Sequence, residues 1–233
     1  MQLTLFTLDG LLFVLRWIHV FFGIIWIGHL YYFNFVQGAF LAEVDAIVKS
    51  GVVQKLVPRA LWWFRWGAAW TFFTGLTIIA IRGHQMGAGF MSSSYGINIL
   101  TGGLMGTIMA ANVWFVIWPN QKVVIANAVQ TASGGAANPN AAACGARAGV
   151  ASRTNTLLSI PLLFFMSAAS HLNYNVTEAS NVGFFWAMAL LTIALIEANA
   201  LFGKTGPITS IKGVIHSGFA LTAIFYVFII ITM

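Results

Sequence analysis

Hydrophobic residues along this chain run in long blocks separated by short polar stretches. Six blocks are long enough to cross the hydrocarbon core of a bilayer, about 30 Å or 20 helical residues. They lie near Leu11 to Phe35, Leu61 to Ile81, Ile97 to Trp118, Thr156 to Asn173, Val182 to Phe202 and Ile211 to Met233. The pattern predicts an all-α fold, a single integral membrane bundle over residues 1–233 with about six transmembrane helices. The fourth block is the shortest and contains Pro161, so it has the weakest boundaries. Val36 to Ala60, with apolar residues spaced among Glu43, Asp45, Lys49 and Lys55, reads as a helix on the membrane surface, and Pro58 restarts the chain into the second span. Gln130 to Val150 is a run of Ala, Gly and Asn that reads as a flexible connector, and the Gly- and Ser-rich loop Arg82 to Gly96 is long enough to fold over one end of the bundle.

Composition agrees with the blocks: 59% of residues are hydrophobic and 7% charged. The net charge of +6 comes from basic residues at helix ends, without a basic stripe interleaved with stacking aromatics, so nucleic acid is not an expected partner. Lys49, Lys55, Arg59, Arg65, Lys122, Arg147, Arg153, Lys204 and Lys212 fall in or beside the loops after spans one, three and five, whereas Arg16 and Arg82 lie on the other side. Cytoplasmic ends collect Lys and Arg, which predicts a multi-pass protein of the bacterial inner membrane with both termini periplasmic. The first span lacks a basic leader and a small-residue cleavage site, so it is expected to be retained. Cys144 is the lone cysteine, which excludes an internal disulfide.

Chemistry points to the histidines. His19, His29, His171 and His216 lie in or at the edge of apolar segments, where ionisable groups are costly and usually functional. Imidazole is a common iron ligand, and paired histidines on facing helices hold b-type haem. On one helix His19 and His29 are about 15 Å apart along the axis and roughly 80° apart in azimuth, so they suit different depths. Depth pairs His19 with His171, and His29 with His216. Gly23 and Trp26 share the face of His19 and would leave room and an aromatic wall for a porphyrin; Trp66 and Trp70 are further candidate walls. Arg16 near the first pair and Arg65 near the second are candidate propionate partners. One haem b is expected, with a second at His29 and His216 as an extension. The alternative reading makes each histidine an interhelical hydrogen-bonding or interfacial group, and the tryptophans interfacial belts or packing. Glu197 is the acid set clearly inside a span; it reads as an ion partner of Arg65 or Lys204, against the alternatives of a proton carrier or a quinone-site acid. Gly102, Gly103 and Gly106 read as helix-contact residues.

Several strings carry a family likeness. Trp17-Ile18-His19-Val20 through Trp26-Ile27-Gly28, then WFRWGAAWTFFTG, then Asn112 to Lys122 (NVWFVIWPNQK), then Ser152-Arg153-Thr154-Asn155 leading to LSIPLLFFMSAASH, resemble in the same order the membrane domain of bacterial membrane-bound urate oxidases. The resemblance implies cofactor-dependent oxidase chemistry linked to electron transfer, with His19 and His171 matching the family pattern and His29 and His216 as additions. Such enzymes carry a C-terminal cytochrome c domain; no CxxCH motif follows the last span here, so the implied electron partner is a separate cytochrome c or quinone, within a larger membrane complex surrounded by lipid. Three functions follow: an electron-carrying haem protein, a membrane oxidase of urate or a similar small reductant, or a cofactor-free transport or scaffold protein. Paired carboxylates, nucleophile triads and phosphate loops are absent from the sequence.

Overall fold

The computed structural model describes residues 4–233. Among the described residues there are six long helices and no strand. Helix α1 runs from Leu8 to Tyr31, passes through a π-helical turn at Tyr32–Gln37 and continues over Gly38–Glu43. Helix α2 spans Ala46–Met86; α3 spans Ser94–Ala111, a second π-helical turn at Asn112–Ile117, and Trp118–Ala132. Helices α4, α5 and α6 span Ala141–His171, Val182–Phe202 and Ile211–Thr232. The starts are fixed by side chains that accept otherwise unpaired backbone N–H groups: Thr7, Asp45, Ser93, Asn181 and Ser210 cap α1, α2, α3, α5 and α6.

Five of these helices are long and apolar enough to cross a membrane. The sixth, α4, is the fourth expected span, and its lower hydropathy has a structural cause. It packs against α1, α3, α5 and α6, so Thr154, Asn155, Thr156 and Ser159 are buried against protein and need no apolar substitute. Lipid-facing positions on the other helices carry large apolar side chains, such as Ile24 and Phe115, 69% and 79% exposed.

Three expectations are corrected. Val36 to Ala60 is not a separate surface helix: α1 extends to Glu43, and α2 begins at Ala46 and passes through Pro58 without a break. Proline removes one helical hydrogen bond, but Val57, Ala60 and Leu61 beside it are buried in the same core as the rest of α2, and that packing keeps the axis continuous. The Gln130 to Val150 segment is mostly helix, since α3 runs to Ala132 and α4 starts at Ala141; alanine, the best helix former, outweighs the loop-like composition. The Arg82 to Gly96 loop is short, because α2 runs to Met86, Gly87 turns at φ 61°, and Phe90 tucks in against Gly83.

Small residues set the helix contacts. A Cβ at Gly67 of α2 would stand 3.0 Å from the Trp26 backbone N and 3.3 Å from the Phe22 carbonyl of α1. Gly102, Gly103 and Gly106 of α3 face Met166, Ile79 and Leu162 respectively, so these are the packing residues expected. Hydrogen bonds then fix register: Tyr31 Oη pairs with Ser159 Oγ at 2.9 Å, and the Asn34 amide donates to Ser152 Oγ at 2.8 Å, holding α1 on α4.

Candidate functional site

His19 is partly buried on α1 and turned toward α2. Its Nδ1 lies 3.2 Å from Thr74 Oγ1, and its ring covers Gly75, where a Cβ would be 2.8 Å from Cε1. The Thr74 hydroxyl donates to the Trp70 carbonyl at 2.6 Å. Its oxygen is therefore left to accept, which places the proton of His19 on Nδ1 and the lone pair on Nε2. His29 reaches the same tautomer by a local route, donating from Nδ1 to the Ile25 carbonyl at 2.7 Å. Metal-binding imidazoles are commonly held this way, by a hydrogen bond on the non-ligating nitrogen.

The Tyr31–Ser159 bond gives the relative height of the other histidines. Twelve residues along α1 from Tyr31 is His19, and twelve along the antiparallel α4 from Ser159 is His171; each lies about 18 Å from the bond toward the same end of the bundle. His171 is exposed in the last turn of α4. His29 and His216 also fall near one level, since Gly218 contacts Ile160, the neighbour of Ser159. They stand on α1 and α6, however, which are not packing neighbours; α4 contacts both, and His216 is exposed. Height is what relates the members of each pair; His19 meets Thr74 and Gly75 of α2, not His171.

The other expected site residues divide by environment. Gly23 faces Thr71 on α2, with 3.9 Å from its would-be Cβ to the threonine methyl, so the face shared with His19 is used for close helix contact. Trp26 is 2% exposed, and its Nε1–H is buried without a partner. Trp70 stacks on Phe22 with ring centroids 5.8 Å apart, and Trp66 meets Trp114 edge-on. Arg16 is exposed. Arg65 places its guanidinium 3.4 Å from the Trp118 ring centroid, and its Nε donates to the Leu61 carbonyl, so its charge is met by aromatic faces. As a fit test for haem, His19 offers a correctly prepared nitrogen and Trp26 an unclaimed buried donor, while the α1–α2 seam is closed at Gly67 and Gly75. Among the described residues no cluster of three or more His, Cys, Asp or Glu side chains suited to a metal ion occurs.

Sequence reasoning missed a second polar centre. Asn112, inside the π-helical turn of α3, donates to Glu197 Oε1 at 2.6 Å and to Asn155 Oδ1 at 3.0 Å, while Asn155 donates to the Met109 carbonyl at 2.9 Å. The partner of Glu197 is thus an amide, and neither Arg65 nor Lys204 is its hydrogen-bond partner. Asn112 within an apolar span and Asn155 at the edge of another were the available signal; their convergence required the third dimension.

A family model described as urate oxidase N-terminal matches residues 83–231, from the end of α2 to the end of α6. No curated protein matches, and no solved structure matches. The matched region contains His171, His216, Asn112, Asn155 and Glu197, whereas His19 and His29 lie before it. With more than half of its length matched, this helical membrane chain belongs to the urate oxidase N-terminal family.

Proposed function

We propose that the protein binds one b-type haem through His19 and His171 and carries electrons within the bacterial inner membrane. The observation that carries this reading is the hydrogen bond from His19 Nδ1 to Thr74, which leaves Nε2 as the free lone pair, on a helix whose height matches His171. Thr74 is the positioning residue, Gly75 supplies the notch that seats the ring, and the Trp26 Nε1–H is an unclaimed donor on the same face of α1. A bound haem would supply a one-electron iron couple. The surrounding apolar helices would exclude water, and a separate cytochrome c or quinone would exchange electrons with it. The distribution of Lys and Arg supports both termini in the periplasm. The test is a pyridine haemochrome assay on detergent-purified protein from a haem-replete host. About one haem per chain, lost in both His19→Ala and His171→Ala, is expected from a single bis-imidazole site; unchanged haem content in either variant refutes the ligand assignment.

A second reading, a membrane oxidase of urate or a related small reductant, is favoured by the family description. Reduction of the bound iron by urate, and carbon monoxide binding to the reduced protein, would select it over a pure carrier.

A further inference from the structure

The buried polar centre around Glu197 is separate from the histidines and has no role in the reading above. Its hydrogen bonds have a fixed direction. The Met109 carbonyl can only accept, so Asn155 turns its amide nitrogen toward it and its oxygen toward Asn112; Asn112 then presents its nitrogen to both Asn155 and Glu197. The carboxyl therefore receives one donor, at Oε1. Oε2 is buried and has no hydrogen-bond partner. The Glu197 side chain also lines a cavity of about 50 Å³, together with Asn112, Val116, Arg147 and Ala151. Such a polar space has room for water. Arg147, exposed on α4, is the one charged residue other than Glu197 on this lining.

We propose that Glu197 is a proton-exchange site, loaded and unloaded at Oε2 through water in the cavity from the Arg147 end of the bundle. In uptake, a hydronium in the cavity gives its proton to Oε2: one O–H bond forms on the carboxylate, one breaks on the hydronium, and a neutral water remains. Release is the reverse, and no electron moves. The hydrogen-bond set suits both states, and a small rotation of the carboxyl would bring Oε2 to the cavity. The Asn112 amide donates to Oε1 whether or not Oε2 is protonated, and a cavity water donates to the anion or accepts from the acid. The positive charge of Arg147 at the lining favours the anion, while the surrounding apolar helices favour the neutral acid. That same positive charge argues against a bound metal cation as the occupant.

The test is infrared difference spectroscopy of the full chain in lipid nanodiscs, taken between alkaline and acidic pH. Because all five Asp and Glu side chains and the C-terminus give carboxylic acid C=O bands on acidification, Glu197 is read from the difference between the wild-type and Glu197→Gln spectra. One C=O band, downshifted in D₂O, is expected there, and it is displaced in Asn112→Leu, which keeps the carboxyl but removes its donor. Val116→Phe, which fills the cavity and leaves Glu197 in place, should slow the appearance of the deuterated band. Wild-type and folded Glu197→Gln spectra that superimpose across the carboxylic acid C=O region, or a difference band that fails to shift in D₂O, overturn the assignment. Unchanged exchange in Val116→Phe overturns the route through the cavity. None of these readouts depends on haem.

Discussion

Replacing Gly67 by alanine tests the α1–α2 seam against which His19 is seated. The new methyl would stand 3.0 Å from the Trp26 nitrogen, 3.1 Å from Ile25 Cγ2 and 3.3 Å from the Phe22 carbonyl. Two of these three atoms are backbone and cannot rotate away, so α1 must move outward by a few tenths of an ångström. Overpacking of this kind costs roughly 1–3 kcal/mol. The substitution also improves helix propensity by about 0.5–1 kcal/mol, which would disguise part of that cost. Gly51→Ala is the control: it lies on the same helix with nothing within 4 Å of its would-be Cβ, so it gains the propensity alone. The difference between the variants is then the steric term, ~1–3 kcal/mol in favour of Gly51→Ala. Both are compared with wild type by titrating dodecyl sulfate into mixed micelles and following far-ultraviolet circular dichroism. Equal stability of the two variants would show that the seam is looser than the structure describes, and the argument from Gly67 would fail.

Thr74→Val removes the acceptor that fixes the tautomer of His19; haem affinity is expected to fall about 10-fold or more, as for outer-shell partners of other metal ligands, measured by haem transfer to an apoprotein acceptor. Retained affinity would mean that Thr74 does not orient the ligand. Asn155→Leu breaks two buried hydrogen bonds and should destabilise by about 1–2 kcal/mol in the same dodecyl sulfate titration. Combined with Asn112→Leu the loss should be less than additive, because the two amides share one bond; strict additivity would contradict a coupled centre. Burial raises the hydroxyl pKa of Tyr174, in the α4–α5 loop, above the ordinary tyrosine value. The unfolded chain therefore loses that proton first, so this contribution to stability is complete below the usual tyrosine range and declines as pH rises through it. Thermal melts across alkaline pH should show a decline that is smaller in Tyr174→Phe.

Helix number and class were legible because lipid imposes one requirement on every span, a run of apolar residues long enough to cross with its backbone bonded internally. Val182 to Phe202 is reproduced residue for residue as α5. The boundaries that shifted, at Glu43, Ala46, Ala132 and Ala141, lie where Ala-rich or mixed sequence leaves the lipid constraint and local propensity is ambiguous. Depth was also legible, because rise per residue is constant: His19 and His171 share a level, and so nearly do His29 and His216. Which side chains meet was not. In a membrane bundle the lipid face and the protein face are both apolar, so hydropathy does not say which way a helix is turned. Tertiary packing turned Gly23 and His19 toward α2, placed α4 in contact with both α1 and α6, and replaced the ion pair expected for Glu197 with an amide from Asn112. The sequence by itself determined how many helices there are and how deep each group lies; close contact at small residues and the pairing of buried polar groups decided which faces came together.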